Sequence, residues 1–375
     1  MRISIVGGGP AGLYFADLIK RIDPRHQVTV FERNRRSVTW GFGVVFSDRA
    51  LEFLQTDDPA MFDYLMPHME TWPDLTIVHR DTRIPIDGNG FAAVGRLELL
   101  NLLQARAEGQ GVDIRYETGL DALDALAEAD VVVGADGVNS LVRQLHGSDF
   151  HTRIVTHSNK FIWYGTSQVF DSLTLTFRTS ADGVFCAHHY RYSPRMSTFL
   201  VEVDLPTWER AGFADMDAEQ TMRYCEAVFA PDLDGHPIVS NNSHWRQFPA
   251  IWNDRWYHGN TVLMGDALRT AHFSIGSGTR LAMEDALALA RAFREAGEDL
   301  QAVFARFEAL RRPPMEKIVA AADASLRWYE GMAELMTLTP YEFAYSYMTR
   351  TGRIGEAKLE RQAPRFMAEY RRHVG

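Results

Sequence analysis

A glycine-rich turn near the N-terminus constrains the fold more than any other stretch of this sequence. Arg2–Val6 (RISIV) has the composition of a buried strand, and an amphipathic helix that we expect to end near Ile22 follows the turn GGGPAG. Glycines in a GxGxxG turn allow a tight bend, close approach of a pyrophosphate and close packing of the helix on the strand. The glycines in these positions are Gly7, Gly9 and Gly12. We therefore predict that the chain begins with a βαβ unit that binds the ADP half of a dinucleotide.

A second strand and a carboxylate complete this unit. Gln27–Phe31 (QVTVF) leads into Glu32, at the spacing of about 20 residues from the turn where a carboxylate binds ribose hydroxyls. NAD and FAD share the ADP half, so the unit alone does not choose between them.

The stretch 259–289 points to a flavin. It is predicted to form a short strand, a Gly265-Asp266 turn, a glycine-containing loop (276–278) and a long helix from about Thr279. Asp266 can accept hydrogen bonds from the hydroxyls of a ribityl chain. The loop amides and the positive end of the helix favour a ring that becomes anionic, as reduced flavin does.

Three further segments have two interpretations each. DVVVG (130–134) followed by Asp136-Gly137 forms another strand-to-turn unit beside a dinucleotide, or a loop whose aspartate caps a helix. The sequence WGFGV (40–44), inside a polar loop, suits either a segment lying along a flat cofactor or an ordinary surface loop. Arg96, at the start of a helix predicted to run to about Glu108, could reach a cofactor phosphate or belong to an exposed Arg–Glu face.

The middle of the chain predicts an antiparallel sheet. Four strands with turn signals between them follow Phe161: FIWYGTSQVF, LTLTFRT, GVFCAHHYRY and STFLVEV. Successive residues of a strand face opposite sides. One side of the third strand carries Phe185, Ala187, His189 and Arg191, and the other carries Cys186, His188, Tyr190 and Tyr192. One side packs on helices and the other could line a pocket, and the sequence does not decide which. Helices are predicted near 300–310, 314–335 and 340–347.

Composition excludes several classes of protein. The 375 residues carry a formal charge of −10, with a pI near 5.7, which argues against a nucleic-acid binder. The two cysteines, Cys186 and Cys225, form no CxxC or metal-binding pattern, so we predict no metal site. There is no signal peptide pattern and no apolar run of about 18 residues, so we expect a soluble, cytoplasmic protein without a membrane partner.

The three motifs in this order, with the antiparallel insertion, resemble the single-component FAD-dependent aromatic hydroxylases of the p-hydroxybenzoate hydroxylase fold. The resemblance implies an α/β chain: a Rossmann-like FAD-binding domain, an inserted antiparallel-sheet substrate domain and C-terminal helices. The implied boundaries are 1–72, 95–155 and 259–330 for the FAD-binding domain, 73–94 and 156–258 for the substrate domain, and 331–375 for the C-terminal helices.

The resemblance also implies cofactors and the residues that hold them. FAD would be bound without a covalent link, and NADH or NADPH would serve as co-substrate. The implied cofactor-binding residues are Gly7, Gly9, Pro10, Ala11, Gly12, Glu32, Arg33, Val44, Arg96, Asp136, Gly137, Gly265, Asp266, Gly276, Ser277, Gly278 and Thr279. Many family members have proline where this chain has Ser274, so the rigidity of this loop is open, although its backbone amides are kept.

Several segments are similar to a narrower group. AHFSIGSGT followed by LAMEDALALA, with NKFIWYGTSQVFD and MSTFLVE, resemble the anthraniloyl-CoA and salicylyl-CoA hydroxylases and the tryptophan-derivative hydroxylase of violacein biosynthesis. The implied reaction hydroxylates an electron-rich aromatic ring with O₂ and NAD(P)H through a C4a-hydroperoxyflavin, on an aryl-CoA thioester. A free indole or tryptophan-derived substrate is the alternative, and a FAD-dependent reductase or dehydrogenase is the alternative of another class. A monomer and a homodimer both remain open.

Candidate substrate contacts follow from this reaction. His272, beside the glycine loop, and then His189 and Tyr190 are the candidates for touching the substrate. The aromatic side chains of Trp163, Phe185 and Tyr190 would supply a pocket that excludes water, and Arg191 is a further candidate substrate contact. The phosphates of CoA require cations. The candidates are Arg80, Arg83, Lys160, Arg178, Arg191 and Arg195, each of which also suits a solvated surface.

Overall fold

The structure is a computed structural model that describes residues 1–119 and 126–375. The strands of the first half are β1 (Arg2–Val6), β2 (Gln27–Phe31), β3 (Gly43–Ser47), β4 (Glu70–Trp72), β5 (Leu75–His79), β6 (Thr82–Ile86), β7 (Phe91–Gly95), β8 (Asp113–Arg115) and β9 (Val131–Gly134). They are followed by β10 (Thr152–Thr166), β11 (Leu173–Thr179), β12 (Val184–Ser193), β13 (Met196–Val203), β14 (Ile238–Ser240), β15 (Arg246–Asn253), β16 (Tyr257–His258) and β17 (Thr261–Leu263).

The helices lie between and after these strands. They are α1 (Pro10–Ile22), α2 (Asp48–Asp57), α3 (Pro59–Leu65), α4 (Arg96–Gly109), α5 (Leu141–Leu145), α6 (Leu205–Arg210), α7 (Ala218–Val228), α8 (Ala230–Leu233), α9 (Gly278–Ala296), α10 (Leu300–Glu330), α11 (Met332–Leu335), α12 (Pro340–Thr349), α13 (Glu356–Gln362) and α14 (Pro364–Val374). Within the described ranges, none of them has the length and apolar composition that crossing a bilayer requires.

The first sheet has the order β16-β17-β9-β1-β2-β8 and confirms the Rossmann-like prediction. β1 runs parallel to both β2 and β9, and β17 runs parallel to β9. Parallel strands end at the same edge of a sheet, which is where α/β folds bind their ligands. The turns that follow β1, β9 and β17 therefore meet there, and they carry Gly7, Asp136 and Asp266.

The second sheet has the order β14-β10-β13-β12-β11-β5-β6, and β15 pairs with β10. It contains the four predicted strands, which pair antiparallel in their central part. One pairing differs from the expectation, because β11 and β5 are parallel. Phe185, Phe199 and Val201 point to the side covered by α6 to α8, which we call the far face. The opposite side, the near face, contacts the loop 272–276, as shown by Phe161 and Phe273, whose rings lie 4.8 Å apart.

A small third sheet, β3-β7-β4, forms where a loop was expected. Residues 43–47 pair antiparallel with 91–95. The strand forms because Val44 and Phe46 alternate into the core, at 6% and 0% exposure, although the glycines and aromatics before them resemble a loop.

The pair Pro313-Pro314 was expected to separate two helices, and this is wrong. A single helix, α10, runs through both prolines. Proline costs an interior helix its local hydrogen bonds. Burial of Phe304, Phe307 and Met315 on either side holds both halves against the same core and offsets that loss.

Candidate active site

The glycine turn is shaped for a close neighbour on one side and open on the other. Gly7 has φ +107°, and a Cβ there would lie 2.3 Å from the carbonyl oxygen of Ala135. A Cβ on Gly9 would meet nothing within 4 Å. Gly9 is also the N-cap of α1, and no side chain occupies the helix end that Pro10 and Ala11 begin. The free amides of a helix N-terminus fit a pyrophosphate.

Glu32 lies against this turn. Its Oε2 accepts a hydrogen bond of 2.8 Å from the amide of Gly8, and its Oε1 accepts one of 2.8 Å from the amide of Asn34. The neighbouring Arg33 is exposed and forms no ion pair within the described part of the chain. This arrangement matches the adenosine end of a dinucleotide, where a carboxylate binds ribose.

Asp266 presents a carboxylate that is free for a ligand. It is solvent-exposed, and no group in residues 1–119 or 126–375 donates a hydrogen bond to its side chain. Although its side chain reaches solvent, protein atoms around the end of β17 partly desolvate it, and this desolvation raises its pKa, against the pull of Arg269 and Arg96. Burial lowers the pKa of Arg96, whose Nε donates to Thr39 at 3.1 Å. A carboxylate and a guanidinium this close suit the ribityl and pyrophosphate groups of FAD.

A buried ion cluster contacts the Gly265-Asp266 turn on its interior side. Asp285, which is 0% exposed, accepts a 3.0 Å hydrogen bond from the amide of Gly265. It also pairs with Arg269 at 2.7 Å and with Arg311 at 2.9 Å. This cluster was not predicted from the sequence, although Asp285 carries a signal for it, since it places a charge on the apolar face of an amphipathic helix.

The loop before α9 leads into free helix amides, although the amide of Gly276 itself donates to the carbonyl of Phe273 at 2.8 Å. Gly276 has φ +60°, a left-handed conformation that favours glycine. The Ser277 hydroxyl donates to the carbonyl of Ile275 and therefore does not cap α9. A Cβ on Gly278 would meet nothing within 4 Å. The first amides of α9, including that of Thr279, are thus available for the pyrimidine edge of a flavin.

Asp136 caps a helix and also keeps one free oxygen. Its Oδ2 accepts from the amides of Leu141 and Val142 at 2.6 and 3.2 Å, as in the helix-cap interpretation. Its Oδ1 is buried without a hydrogen-bond partner in the described residues. Gly137 follows with φ +80° and open space beside it. This turn therefore lies at the edge where the parallel strands end, with one acceptor unused.

Tyr190 and Trp163 lie on the near face but differ in what they offer. The Tyr190 hydroxyl donates to the carbonyl of Gly43 at 2.9 Å, and the amide of Gly43 donates to Thr198. Tyr190 therefore joins β3 to the second sheet, and its hydroxyl proton is not available to a substrate because it is donated to Gly43. The ring of Trp163 packs close to Gly41, and its Nε1 has no partner among the described residues.

His272 is the buried first residue of the loop 272–276. Its Nδ1 lies 2.8 Å from the hydroxyl of Ser274, which contacts Ser325, and Arg350 donates to Ser325 and to the carbonyl of Ser274. Burial lowers the pKa of His272 to about 4, so it is neutral at pH 7. Arg350 and the two serines thus hold the loop that has Ser274 in place of proline.

A second buried pair, Glu202 with His188, was also missed by sequence reasoning. Glu202 is 0% exposed, and it accepts from Asn159 at 2.9 Å and contacts Nε2 of His188 at 3.2 Å. Burial alone would raise the pKa of Glu202, but the bond from His188 and the nearby His272 hold it below its ordinary value. The hydrogen bond from His188 is the largest of the contributions that lower it. The His188 ring also packs edge-on to Phe273, at 5.6 Å.

Three predicted substrate residues are not brought to the near face. His189 contacts Thr176 through Nε2 and stacks on Phe199, and Phe185 packs with α7. Arg191 pairs with Glu70 at 2.9 Å. The reason is the alternation of β12: helices α6 to α8 cover the face that carries these odd-numbered residues. The even-numbered residues therefore lie on the near face, where His188 contacts Phe273.

An open cleft of about 470 Å³ lies beside this region. Its lining consists of Ser37, Val38, Thr39, Trp40, Gly41, Phe42, Gly95, Arg96, Leu97, Tyr192 and Asn241. It includes no acidic residue and one arginine, and Trp40 is 47% exposed. The cleft therefore offers an entrance of mixed polarity and without negative charge, close to Trp163 through Gly41.

Replacing Asp266 by alanine is expected to weaken FAD binding about 10- to 100-fold. The substitution removes charge-assisted hydrogen bonds to the ribityl chain, each worth roughly 1.5–3 kcal/mol. Titration of the apoprotein with FAD, followed by flavin fluorescence, measures the change. Asp215→Ala, on the surface outside the cleft, is the control. Unchanged FAD affinity in the Asp266 variant would remove this carboxylate from the site.

Comparisons with known proteins agree with this geometry. Residues 101–322 match the family described as FAD binding domain, and residues 5–74 match the NAD(P)-binding Rossmann-like domain. The chain is 42% identical over 361 residues to salicyloyl-CoA 5-hydroxylase from Streptomyces sp., covering 94% of this chain and 70% of that protein. It is 36% identical to protodeoxyviolaceinate monooxygenase of Chromobacterium violaceum, covering 93% of this chain and 94% of that protein.

A solved structure shows the same fold. 2-Methyl-3-hydroxypyridine-5-carboxylic acid oxygenase superposes with a TM-score of 0.71 over 96% of both chains, at 18% identity. The cradle of open glycine positions, the unpaired carboxylate of Asp266 and the free amides of α9 fit FAD, with NAD(P)H as co-substrate. The chain therefore belongs to the FAD-dependent aromatic monooxygenases of the p-hydroxybenzoate hydroxylase fold.

Proposed function

We propose that this protein hydroxylates the ring of an aromatic acid that carries an ortho hydroxyl or amino group and is bound as a CoA thioester. The observation that carries the proposal is the near face itself. Trp163 pairs with Leu200, and the ring of Phe161 lies 4.8 Å from that of Phe273, so apolar and aromatic side chains face the loop that fits the flavin ring. The 42% identity to a salicyloyl-CoA hydroxylase supports the choice of substrate.

The residues of the chain have separate tasks in this reaction. FAD, when bound, would take electrons from NAD(P)H and activate O₂. Trp163, Leu200 and Phe273 exclude water from the reacting ring. His188, polarised by the buried carboxylate of Glu202, is placed to bind the electron-donating group of the substrate. The α9 amides hold the flavin ring beside it.

The cations proposed for CoA differ in whether their side chains already have partners in the protein. Arg178 pairs with Asp81 and Asp232, and Arg191 pairs with Glu70. Arg80 donates to the carbonyl of Met336, and Lys160 lies over Trp208. Within the described ranges, the side chains of Arg83 and Arg195 form no ion pair, hydrogen bond or cation–π contact. Arg195 lies in the turn after Tyr192, which lines the cleft, so we assign the CoA phosphates to Arg195.

The test compares salicyloyl-CoA and anthraniloyl-CoA with the free acids, by NADPH or NADH consumption and product mass. We expect thioesters to be favoured by orders of magnitude and to bind more weakly as salt screens the phosphates. Arg195→Ala should raise the KM for the thioester about fivefold, the value of roughly 1 kcal/mol for one exposed ion pair, with kcat unchanged.

Arg83→Ala is the matched control, because Arg83 lies on β6 at the far edge of the same sheet. Its KM should equal that of the unmodified protein. Equal turnover of the free acids would contradict the thioester proposal. It would favour a free indole-derived substrate, which the 36% identity to protodeoxyviolaceinate monooxygenase supports.

A further inference from the structure

Two histidines and an aspartate converge at the edge of the first sheet, outside the site described above. His146 follows the last residue of α5, Asp149 lies in the next turn, and His258 ends the edge strand β16. Asp149 Oδ2 is 3.7 Å from Nδ1 of His146 and 3.6 Å from Nε2 of His258. One ligand atom from each of the three lies within 4.8 Å of the other two.

We propose that these three side chains bind a divalent transition-metal ion of the Zn²⁺ type. Zinc takes imidazole nitrogen and carboxylate oxygen at about 2.0–2.1 Å in tetrahedral geometry, which places neighbouring ligand atoms about 3.3 Å apart. The two contacts with Asp149 are already within half an ångström of that spacing. Only the two imidazoles must approach each other, and both are partly exposed side chains that can rotate.

The charge of the cluster also suits a cation. Two imidazoles and one carboxylate together offer one negative charge, and in the described part of the chain no arginine or lysine forms an ion pair with Asp149. His146 is held in place by Phe150, which is 0% exposed, at a ring distance of 5.2 Å. A bound ion would therefore join the turn after α5 to β16, with water completing the coordination.

The position separates this site from the flavin. His258 pairs with Thr261, the first residue of β17, whereas Asp266 follows the other end of that strand. The ion would thus sit at the opposite end of the parallel strands from the cofactor. The sequence prediction of no metal site was based on the absence of CxxC and other cysteine patterns. That absence says nothing about a site made of histidine and aspartate.

The experiment titrates Zn²⁺ into the FAD-loaded protein, after EDTA and its removal, by isothermal calorimetry. One ion per chain should bind with a dissociation constant of about 10 μM or tighter. Asp149→Asn and His258→Gln should each weaken binding at least about tenfold, since one ligand of three is lost. His244→Gln, an exposed histidine outside the cluster, is the control. Flavin absorbance should be unchanged in all three variants, which shows that each is folded.

Two results would overturn the proposal. One is the absence of Zn²⁺ binding at 100 μM protein and ion concentrations, on the order of ten times the expected dissociation constant. The other is equal binding by the control and by the Asp149 and His258 variants, which would place the ion elsewhere.

Discussion

Replacing Asp285 by alanine is expected to destabilise the protein by about 3–5 kcal/mol and to release FAD. Removing one partner of a buried ion cluster leaves the remaining charges without compensation. Here Arg269, which is 2% exposed, loses its carboxylate partner, and Arg311, which is 7% exposed, keeps only its 2.8 Å ion pair with Glu284. The amide of Gly265 also loses its acceptor, so the turn that presents Asp266 is no longer held. Urea denaturation and flavin release measure the two effects.

The matched control is Glu295→Ala on the same helix. Glu295 pairs with Arg291 and Arg306 at the protein surface, where ion pairs contribute little. Its unfolding midpoint should stay close to that of the unmodified protein. If the Asp285 variant also unfolded at nearly the same urea concentration, the cluster would not hold the turn as we infer.

Replacing Gly278 by valine is expected to abolish hydroxylation while the fold remains intact. A Cβ at Gly278 projects into open space, with nothing in the protein within 4 Å, and its φ is not in the left-handed region. The larger side chain would therefore meet only the flavin. Displacing a reacting group by about 1 Å can lower the rate about 100-fold. We expect at least that loss in kcat, with a melting temperature within a few degrees of the original.

Gly355→Val controls for the substitution itself. Gly355 also has open space around its Cβ position, but it is exposed and lies before α13, away from the cofactor loop. It should retain full activity. A collapse of stability in the Gly278 variant would show that this glycine serves packing, and full activity would show that the flavin lies elsewhere.

Local sequence predicted the cofactor half of the site because each of its parts is local. A strand, a turn and a helix start within a few residues place Gly7, Asp136 and Asp266 at strand ends. The parallel order of the strands then brings them to one edge. The same local logic predicted the four central strands.

Long-range packing decided what the sequence could not. The choice between His188 and His189 depends on which side α6 to α8 cover, and no residue of β12 reports this. The pairing of Glu202 with His188 and of Asp285 with Arg311 joins residues on different elements. The continuous helix through Pro313 depends on the core that both of its halves share.

The measurement that tests the central claim most directly is turnover under ¹⁸O₂ with NADPH or NADH and salicyloyl-CoA, followed by mass spectrometry. If the near face and the α9 loop enclose a flavin-dependent hydroxylation site, the product should carry one ¹⁸O atom on the aromatic ring, and its amount should match the substrate consumed. Two results, obtained with every aromatic substrate offered, would contradict the account and favour a reductase. One is NAD(P)H oxidation that yields only hydrogen peroxide, and the other is a product whose oxygen comes from water.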